Sequence, residues 1–251
     1  MKKNAKTHIA FGRHPVVEAI RAGSAFDKIL LQRGTTGDFE KEIRQLCRQH
    51  GIPLQYVPRE KLNRIVKGNH QGVVGYLALI RYYQLEDVVP HIYEKGETPL
   101  LLLLDGVTDV RNLGAIARSA EVSGAHALVV PWSGSALINA DALKTSAGAL
   151  SRLVVCREKS LVSAVEYLQN AGIRVFASDL TAPRPIGEMD FTSPSAIVVG
   201  SEDEGVSEGL LRRADERFII PQKGTTDSYN VSVAAGIMLY EAGRQRKERR
   251  D

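Results

Sequence analysis

The chain has 251 residues, 43% of them apolar and 25% charged, which suits one large soluble domain or two modest ones. Its longest apolar stretch of note, Leu100–Leu104, is far too short to cross a bilayer, and His8 and Arg13 interrupt any apolar core that a signal peptide would need, so the expected setting is cytoplasmic with no membrane partner. Two cysteines, Cys47 and Cys156, without CxxC spacing or a Cys/His cluster, argue against a disulfide framework and structural zinc and read as reduced thiols.

The formal charge of +4 hides an asymmetry. Residues 1–82 carry 15 Lys+Arg against 6 Asp+Glu, a net of +9; residues 83–251 carry 18 against 23, a net of −5. A basic first third suggests a polyanionic partner, although a solvated basic domain explains the same count equally well. The tail GRQRKERRD adds further cations, either for the same partner or simply solvated.

The first segment alternates helix and strand signals. His14–Gly23 reads as a short helix stopped by glycine, and Lys28–Gln32 as a buried strand. From Asp38 to Gly51, Phe39, Ile43, Leu46 and Cys47 form one stripe, the pattern of an amphipathic helix. Pro53–Val57 follows as a strand, Pro58–Val66 as a short helix with proline at its start, and Val73–Ile80 as a last strand. Residues 1–82 therefore predict a small α/β domain.

The stretch Tyr82–Pro99 is polar, holds two prolines and spans the change in charge sign, so residues 83–98 read as a linker with a short helix around Leu85–Val89. The second domain, 99–251, opens on PLLLLLD, a continuous apolar run of the kind found in a central parallel strand covered on both faces. Further buried strands are predicted at Ala127–Val130, Leu153–Cys156, Arg174–Ser178, Ala196–Gly200 and Phe218–Ile220. Helices are predicted at Leu113–Ser123, Leu161–Asn170, Ser207–Ala214 and from Asn230 to about Gln245. This alternation predicts an α/β fold, a parallel sheet with helices on both faces, and ligands of such sheets sit at the carboxyl ends of the strands.

Three strand ends carry unusual loops. After Asp105, Asn112 is placed to cap a helix, Gly114 to permit close backbone approach, and Arg118, six residues after Asn112, to reach over the strand ends. For Asn112 alone an ordinary cap suffices. After Val199 the sequence GSEDEGVS breaks a buried strand into acidic residues. Such a loop repels phosphate and suits a cationic or hydroxyl-rich ligand; S-adenosylmethionine is both, while a solvated acidic loop is the plain alternative. After Ile220, Ser228 and Asn230 begin a helix whose Ala234, Ala235 and Gly236 admit close packing by a backbone or a second subunit. No GxGxxG follows a strand, which weakens a dinucleotide-dependent oxidoreductase, and P-loop, HExxH and GxSxG motifs are absent. The glycine-rich loop of the commoner methyltransferase fold is absent too.

Taken together, NLGAIARSA (112–120), IVVGSEDEGVS (197–207) and IIPQKGTTDSYNVSVAAGIMLYE (219–241) resemble the three motifs of the SpoU (TrmH-like) family of SPOUT methyltransferases, over nearly all of residues 99–245. The first segment, with FGRHPVVEAIRAG, resembles that family's small L30e-like substrate-binding domain, and the pairing is most similar to the RlmB branch, which methylates a guanosine ribose in 23S ribosomal RNA. The resemblance implies a SPOUT-type domain with a C-terminal trefoil knot, a homodimer, S-adenosyl-L-methionine as cofactor without a metal, and RNA, here 23S rRNA, as partner. By position it implies that Gly200, Ile220 and Tyr229 contact the cofactor, and that Asn112, Arg118, Glu202, Ser228 and Asn230 form the catalytic site. Val110 stands where the first motif often has proline, and Tyr229 where the third usually has leucine.

The implied reaction is 2′-O-ribose methylation. Family proposals make the arginine the base; a guanidinium with a pKa above ~12 is awkward there. Arg118 is better suited to orient the phosphate–ribose unit and stabilise the developing alkoxide, which leaves the base undecided. The alternatives are a 2′-O-methyltransferase acting on transfer RNA, and a non-catalytic RNA-binding ribosome-assembly factor.

Overall fold

The computed structural model describes residues 9–226 and 228–248. They fall into two units, one reaching Arg81 and including Ile138–Ala140, the other covering Tyr82–Leu137 and Asp141 onward.

In the first unit the elements are β1 (Ile9–Phe11), α1 (Arg13–Arg21), β2 (Phe26–Gln32), α2 (Asp38–Gln49), β3 (Leu54–Val57), α3 (Arg59–Ile65) and β4 (Val73–Leu77). The sheet order is β1-β4-β2-β3, with β2 and β3 parallel and the other pairs antiparallel. Because successive strand residues face opposite sides, β2 feeds two cores. Ile29 and Leu31 pack with Val16 and Ile20 of α1 and Ile43 and Cys47 of α2; Leu30 packs with Val57, Val74 and Leu62 of α3. Burial pushes the Cys47 thiol up to about 12, so it is an inert part of this core. Strand β1 was not expected: three residues are too few to show a period.

The second unit contains β5 (Tyr82–Tyr83), α4 (Leu85–Glu94), β6 (Leu100–Leu104), α5 (Val110–Val122), β7 (Ala127–Pro131), α6 (Ala140–Thr145), β8 (Val154–Glu158), α7 (Leu161–Asn170), β9 (Arg174–Ser178), β10 (Ser195–Val199), α8 (Glu208–Leu211), β11 (Glu216–Phe218) and α9 (Val231–Glu248). Its strands form one sheet in the order β11-β9-β10-β6-β7-β8-β5, parallel throughout. The five leucines of β6 lie in the middle of that sheet, all fully buried, as a strand covered on both faces requires. Leu101 and Leu103 face α4, α7 and α8 through Val89, Leu168 and Leu210. The alternate residues face the side where α5 lies against β7 and α9 against β10. The predicted parallel sheet with helices on both faces is the observed architecture.

Residues 83–98, read from the sequence as a linker, carry a strand and a helix of this unit. Strand β5 pairs with β8, and Leu85, Val88, Val89 and Ile92 of α4 enter the core. The short helix expected around Leu85–Val89 is present and runs on to Glu94 with Pro90 inside it, where a proline would ordinarily mark an end.

The last helix is fixed at its far end. Arg246 donates from Nε to Phe191 O (2.9 Å), from Nη1 to Thr98 O (2.8 Å) and from Nη2 to Pro99 O (2.7 Å) and Ser193 O (3.1 Å), at the amino ends of β6 and β10. Arg244 pairs with Glu241 and Glu248. These two tail cations therefore serve the fold; Arg249 and Arg250 lie outside the described residues. Arg246→Ala leaves several carbonyls without their charged donor, at a cost of about 2–3 kcal/mol. The expected result is a thermal midpoint lower by roughly 5–10 °C, read by calorimetry; an unchanged midpoint would show that water replaces the guanidinium at no cost.

Candidate active site

The site begins at the carboxyl end of the central strand. Asp105, directly after β6, accepts a hydrogen bond from Ser207 N at 2.7 Å and so holds the far end of the acidic loop that follows β10. That loop folds back on itself at once: Ser201 and Gly205 exchange backbone hydrogen bonds of 3.0 and 3.1 Å, and Glu204 N donates to Ser201 Oγ. The return is so tight that a Cβ on Gly200 would lie 1.9 Å from the Gly205 carbonyl carbon and 2.0 Å from Val206 N. Only glycine fits where the strand ends. Glu202, Asp203 and Glu204 are thereby presented together at the exposed tip.

Helix α5 starts one strand away. Its cap is Asp109 and not Asn112 as the sequence suggested: Asp109 Oδ1 accepts from Arg111 N (2.7 Å) and Asn112 N (3.1 Å). The Asn112 and Arg111 amides hold the Asp109 carboxyl below its usual range. Asn112 is left in the first turn with its side chain free for other work. Gly114 does permit a close approach, but to α6: a Cβ there would meet Thr145 Cβ at 2.7 Å.

The third segment joins the other two through one amide. Asn230 precedes α9 and its Oδ1 accepts from Ser232 N (3.0 Å) and Ser232 Oγ (2.6 Å). Those bonds fix the orientation of the amide, so its Nδ2 faces the opposite way. Nδ2 donates to Asn112 Oδ1 at 3.2 Å and to Glu202 Oε1 by a short hydrogen bond. Asn112, Glu202 and Asn230 thus stand in one cluster, each from a different strand-end segment.

Beside this cluster is a cavity of about 320 Å³ at the carboxyl ends of β9, β10 and β11. Gly200, Glu202, Ile220, Ser228 and Tyr229, all named from the sequence, line it. Its inner wall is apolar, with Val199, Phe218, Val231 and Met238, and the acidic loop forms one rim. The strand predicted at Phe218–Ile220 is observed at Glu216–Phe218, which frees Ile219 and Ile220 to line the cavity. Arg118 is not drawn in: it is exposed on α5, makes no hydrogen bond or ion pair with any described residue, and does not line the cavity.

Sequence reasoning passed over the loop after β9. Ser178, Asp179, Leu180 and Thr181 form the facing wall, braced by Thr181 N and Oγ1 donating to Asp179 Oδ1 (2.9 and 2.8 Å). The available signal was an Asp-x-Thr turn ending a buried strand, with Leu180 left 57% exposed. Among the described residues no group of three or more His, Cys, Asp or Glu could hold a metal ion, and no helix is long and apolar enough to cross a membrane.

Comparison with known proteins gives consistent matches. Residues 99–240 match the model of the SpoU rRNA Methylase family, and residues 9–83 match the model described as RNA 2′-O ribose methyltransferase substrate binding. A Bacillus subtilis protein named for the TrmH family of tRNA/rRNA methyltransferases is 34% identical over 235 residues, 94% of each chain. Among solved structures, the SpoU methyltransferase AviRb from Streptomyces viridochromogenes in complex with AdoMet is 27% identical with a TM-score of 0.60, over 96% of this chain and 90% of that one. An AdoMet-bound rRNA methyltransferase from Sinorhizobium meliloti is 25% identical with a TM-score of 0.61, over 94% and 87%.

Proposed function

Because this chain belongs to the SpoU rRNA methylase family, and is thereby an RNA methyltransferase dependent on S-adenosylmethionine, we propose that its strand-end site methylates a ribose 2′-hydroxyl. The observation that carries this reading is the Asn112–Asn230–Glu202 cluster at the edge of the cavity.

The cavity suits the cofactor on its own chemistry. An acidic rim attracts a sulfonium and an ammonium, the apolar wall accepts an adenine, and the Gly200 and Ile220 backbone can reach a ligand without side-chain obstruction. In this assignment Gly200, Ile220 and Tyr229 hold the cofactor, which supplies a methyl group on a positively charged sulfur. The chain's own task is alignment and proton handling, and alignment of this kind is worth roughly 7–11 kcal/mol of the barrier.

Residue roles follow from the bonds. Asn230, saturated by four hydrogen bonds, is the fixed part that sets Asn112 and Glu202 in place. Asn112 keeps its own amide N–H groups, and Glu202 a second carboxylate oxygen, for a ribose that offers both donors and acceptors. Ser228 adds a hydroxyl at the cavity mouth. Arg118, with no partner to give up, orients the phosphate beside the target ribose and stabilises charge on its oxygen as the proton leaves.

The further assignments belong to the same reading. Residues 1–82 serve as an L30e-like RNA-binding domain, supported by their charge of +9 and by the substrate-binding match, and the methyltransferase domain expected at 99–251 also takes in β5 and α4. That domain carries a trefoil knot and forms a homodimer in the cytoplasm; Val122, Val233 and Tyr240, 76%, 50% and 70% exposed on α5 and α9, are apolar side chains that a second copy would cover. The substrate is a guanosine of 23S rRNA.

The test is transfer of labelled methyl from S-adenosylmethionine to unmodified 23S rRNA and to transfer RNA, followed by alkaline hydrolysis. A labelled dinucleotide resistant to alkali, from 23S rRNA and with guanosine at its methylated position, is the expected product. Label in transfer RNA would move the substrate, label on a base would refute ribose chemistry, and no label on either RNA would favour a non-catalytic assembly factor.

A further inference from the structure

The other half of the seven-stranded sheet ends in aromatic and cationic side chains for which methyl transfer has no use. Trp132 follows β7 directly and is the only tryptophan in the chain. It is half-buried, and Lys159 Nζ stands 5.1 Å from its ring centroid. Lys159, just past the end of β8, is exposed. A fully buried tryptophan normally finds a protein partner for its indole N–H, whereas a half-buried one can leave it open to solvent or a ligand. Here that N–H has none among the described residues.

The position matters as much as the chemistry. Ala136 N, four residues beyond Trp132, donates to Val107 O at 2.9 Å. This ties the Trp132 loop to the loop that runs into Asp109 and Asn112. Strand β7 adjoins β6, and β6 adjoins β10, so at the usual spacing the end of β7 lies roughly 10 Å from the end of β10. The nucleotide next to the one being methylated can cover that span.

We propose that Trp132 and Lys159 form a stacking subsite for the RNA nucleotide adjacent to the target, with the base on the indole and its phosphate at the ammonium. Every base has a π-face, so such a site adds affinity without reading sequence. It holds the strand on one side of the reacting ribose while the first unit holds RNA elsewhere. The proposal rests on the assignment of RNA as substrate, and it names the part of the methyltransferase unit that meets it.

A single tryptophan makes the test direct. Intact protein is titrated with a single-stranded oligoadenylate, with excitation at the red edge where tyrosines do not absorb. Binding is followed in parallel by anisotropy of the labelled oligonucleotide. Quenching that saturates together with the anisotropy is expected. Trp132→Ala should weaken oligonucleotide binding about tenfold and raise KM for 23S rRNA without changing cofactor affinity, while Trp132→Phe keeps most of the binding. Lys159→Ala should reduce the salt dependence of binding by about one phosphate contact. Emission that stays constant while the oligonucleotide saturates overturns the subsite, as does wild-type affinity in Trp132→Ala. If that variant loses its fold, the emission of the unmodified chain decides alone. Methyl transfer to RNA with constant emission would remove the subsite and leave the function standing; saturable quenching without transfer to any RNA would do the reverse.

Discussion

Replacement of Arg118 by alanine is expected to lower methyl transfer by about 10²–10³-fold, the usual cost of removing one group that stabilises developing charge. The structure makes this an unusually clean substitution. Arg118 is exposed and unpaired among the described residues, so its loss removes no native bond and the thermal midpoint should stay where it was. Cofactor affinity should also hold, because the side chain does not line the cavity. Arg118→Lys should recover little, since a point charge does not reproduce the planar fork that fits a phosphate. Turnover within a few-fold of the unmodified enzyme, measured with saturating cofactor and RNA, would remove Arg118 from the mechanism. A loss confined to KM for RNA would make it a binding residue only.

Gly200→Ala is expected to abolish cofactor binding at ordinary concentrations. An added Cβ would lie 1.9 Å from the Gly205 carbonyl carbon, deep inside any permissible contact, and both neighbours are backbone atoms that cannot rotate away. The acidic loop must open, which breaks its Ser201–Gly205 bonds and displaces Glu202 from Asn230. Overpacking of this kind costs about 3 kcal/mol, equivalent to about 100-fold in affinity. Isothermal titration with S-adenosylmethionine reads the effect. Gly243→Ala is the control: nothing lies within 4 Å of its Cβ, and it should bind the cofactor like the unmodified chain. Cofactor affinity preserved in Gly200→Ala would mean that the loop is not part of the pocket.

Gly200 and Asn112 show what a sequence can and cannot reveal. Gly200 ends a buried strand and is followed by acidic residues, a local pattern, but its crowding by Gly205 and Val206 shows only in the folded loop. Asn112 looked like a cap and is not one, because the helix already begins at Val110, where Asp109 accepts from the Arg111 and Asn112 amides. Both side chains can cap, and only the backbone decides which does. The five leucines of β6 and the stripe of α7 were legible because continuous burial and helical periodicity are local signals. Strands β1 and β5 were not, with three and two residues, and the helix expected around Leu85–Val89 runs on through Pro90 to Glu94. The cavity itself is non-local. It exists because β9, β10 and β11 are neighbours in the order β11-β9-β10-β6, an arrangement no spacing encodes. Resemblance to a family supplied what periodicity lacked, by naming three distant segments as one site. It did not point to the Asp179–Thr181 wall or to Trp132, which emerged only once the strand ends were side by side.

The most direct test of this account is a crystal structure of the full chain with the reaction product S-adenosylhomocysteine. The product is expected in the cavity between Gly200, Ile220 and Tyr229, its amino group toward the acidic loop and its sulfur toward the Asn112–Asn230–Glu202 cluster. Product bound at any other place, with that cavity left unfilled, would contradict it.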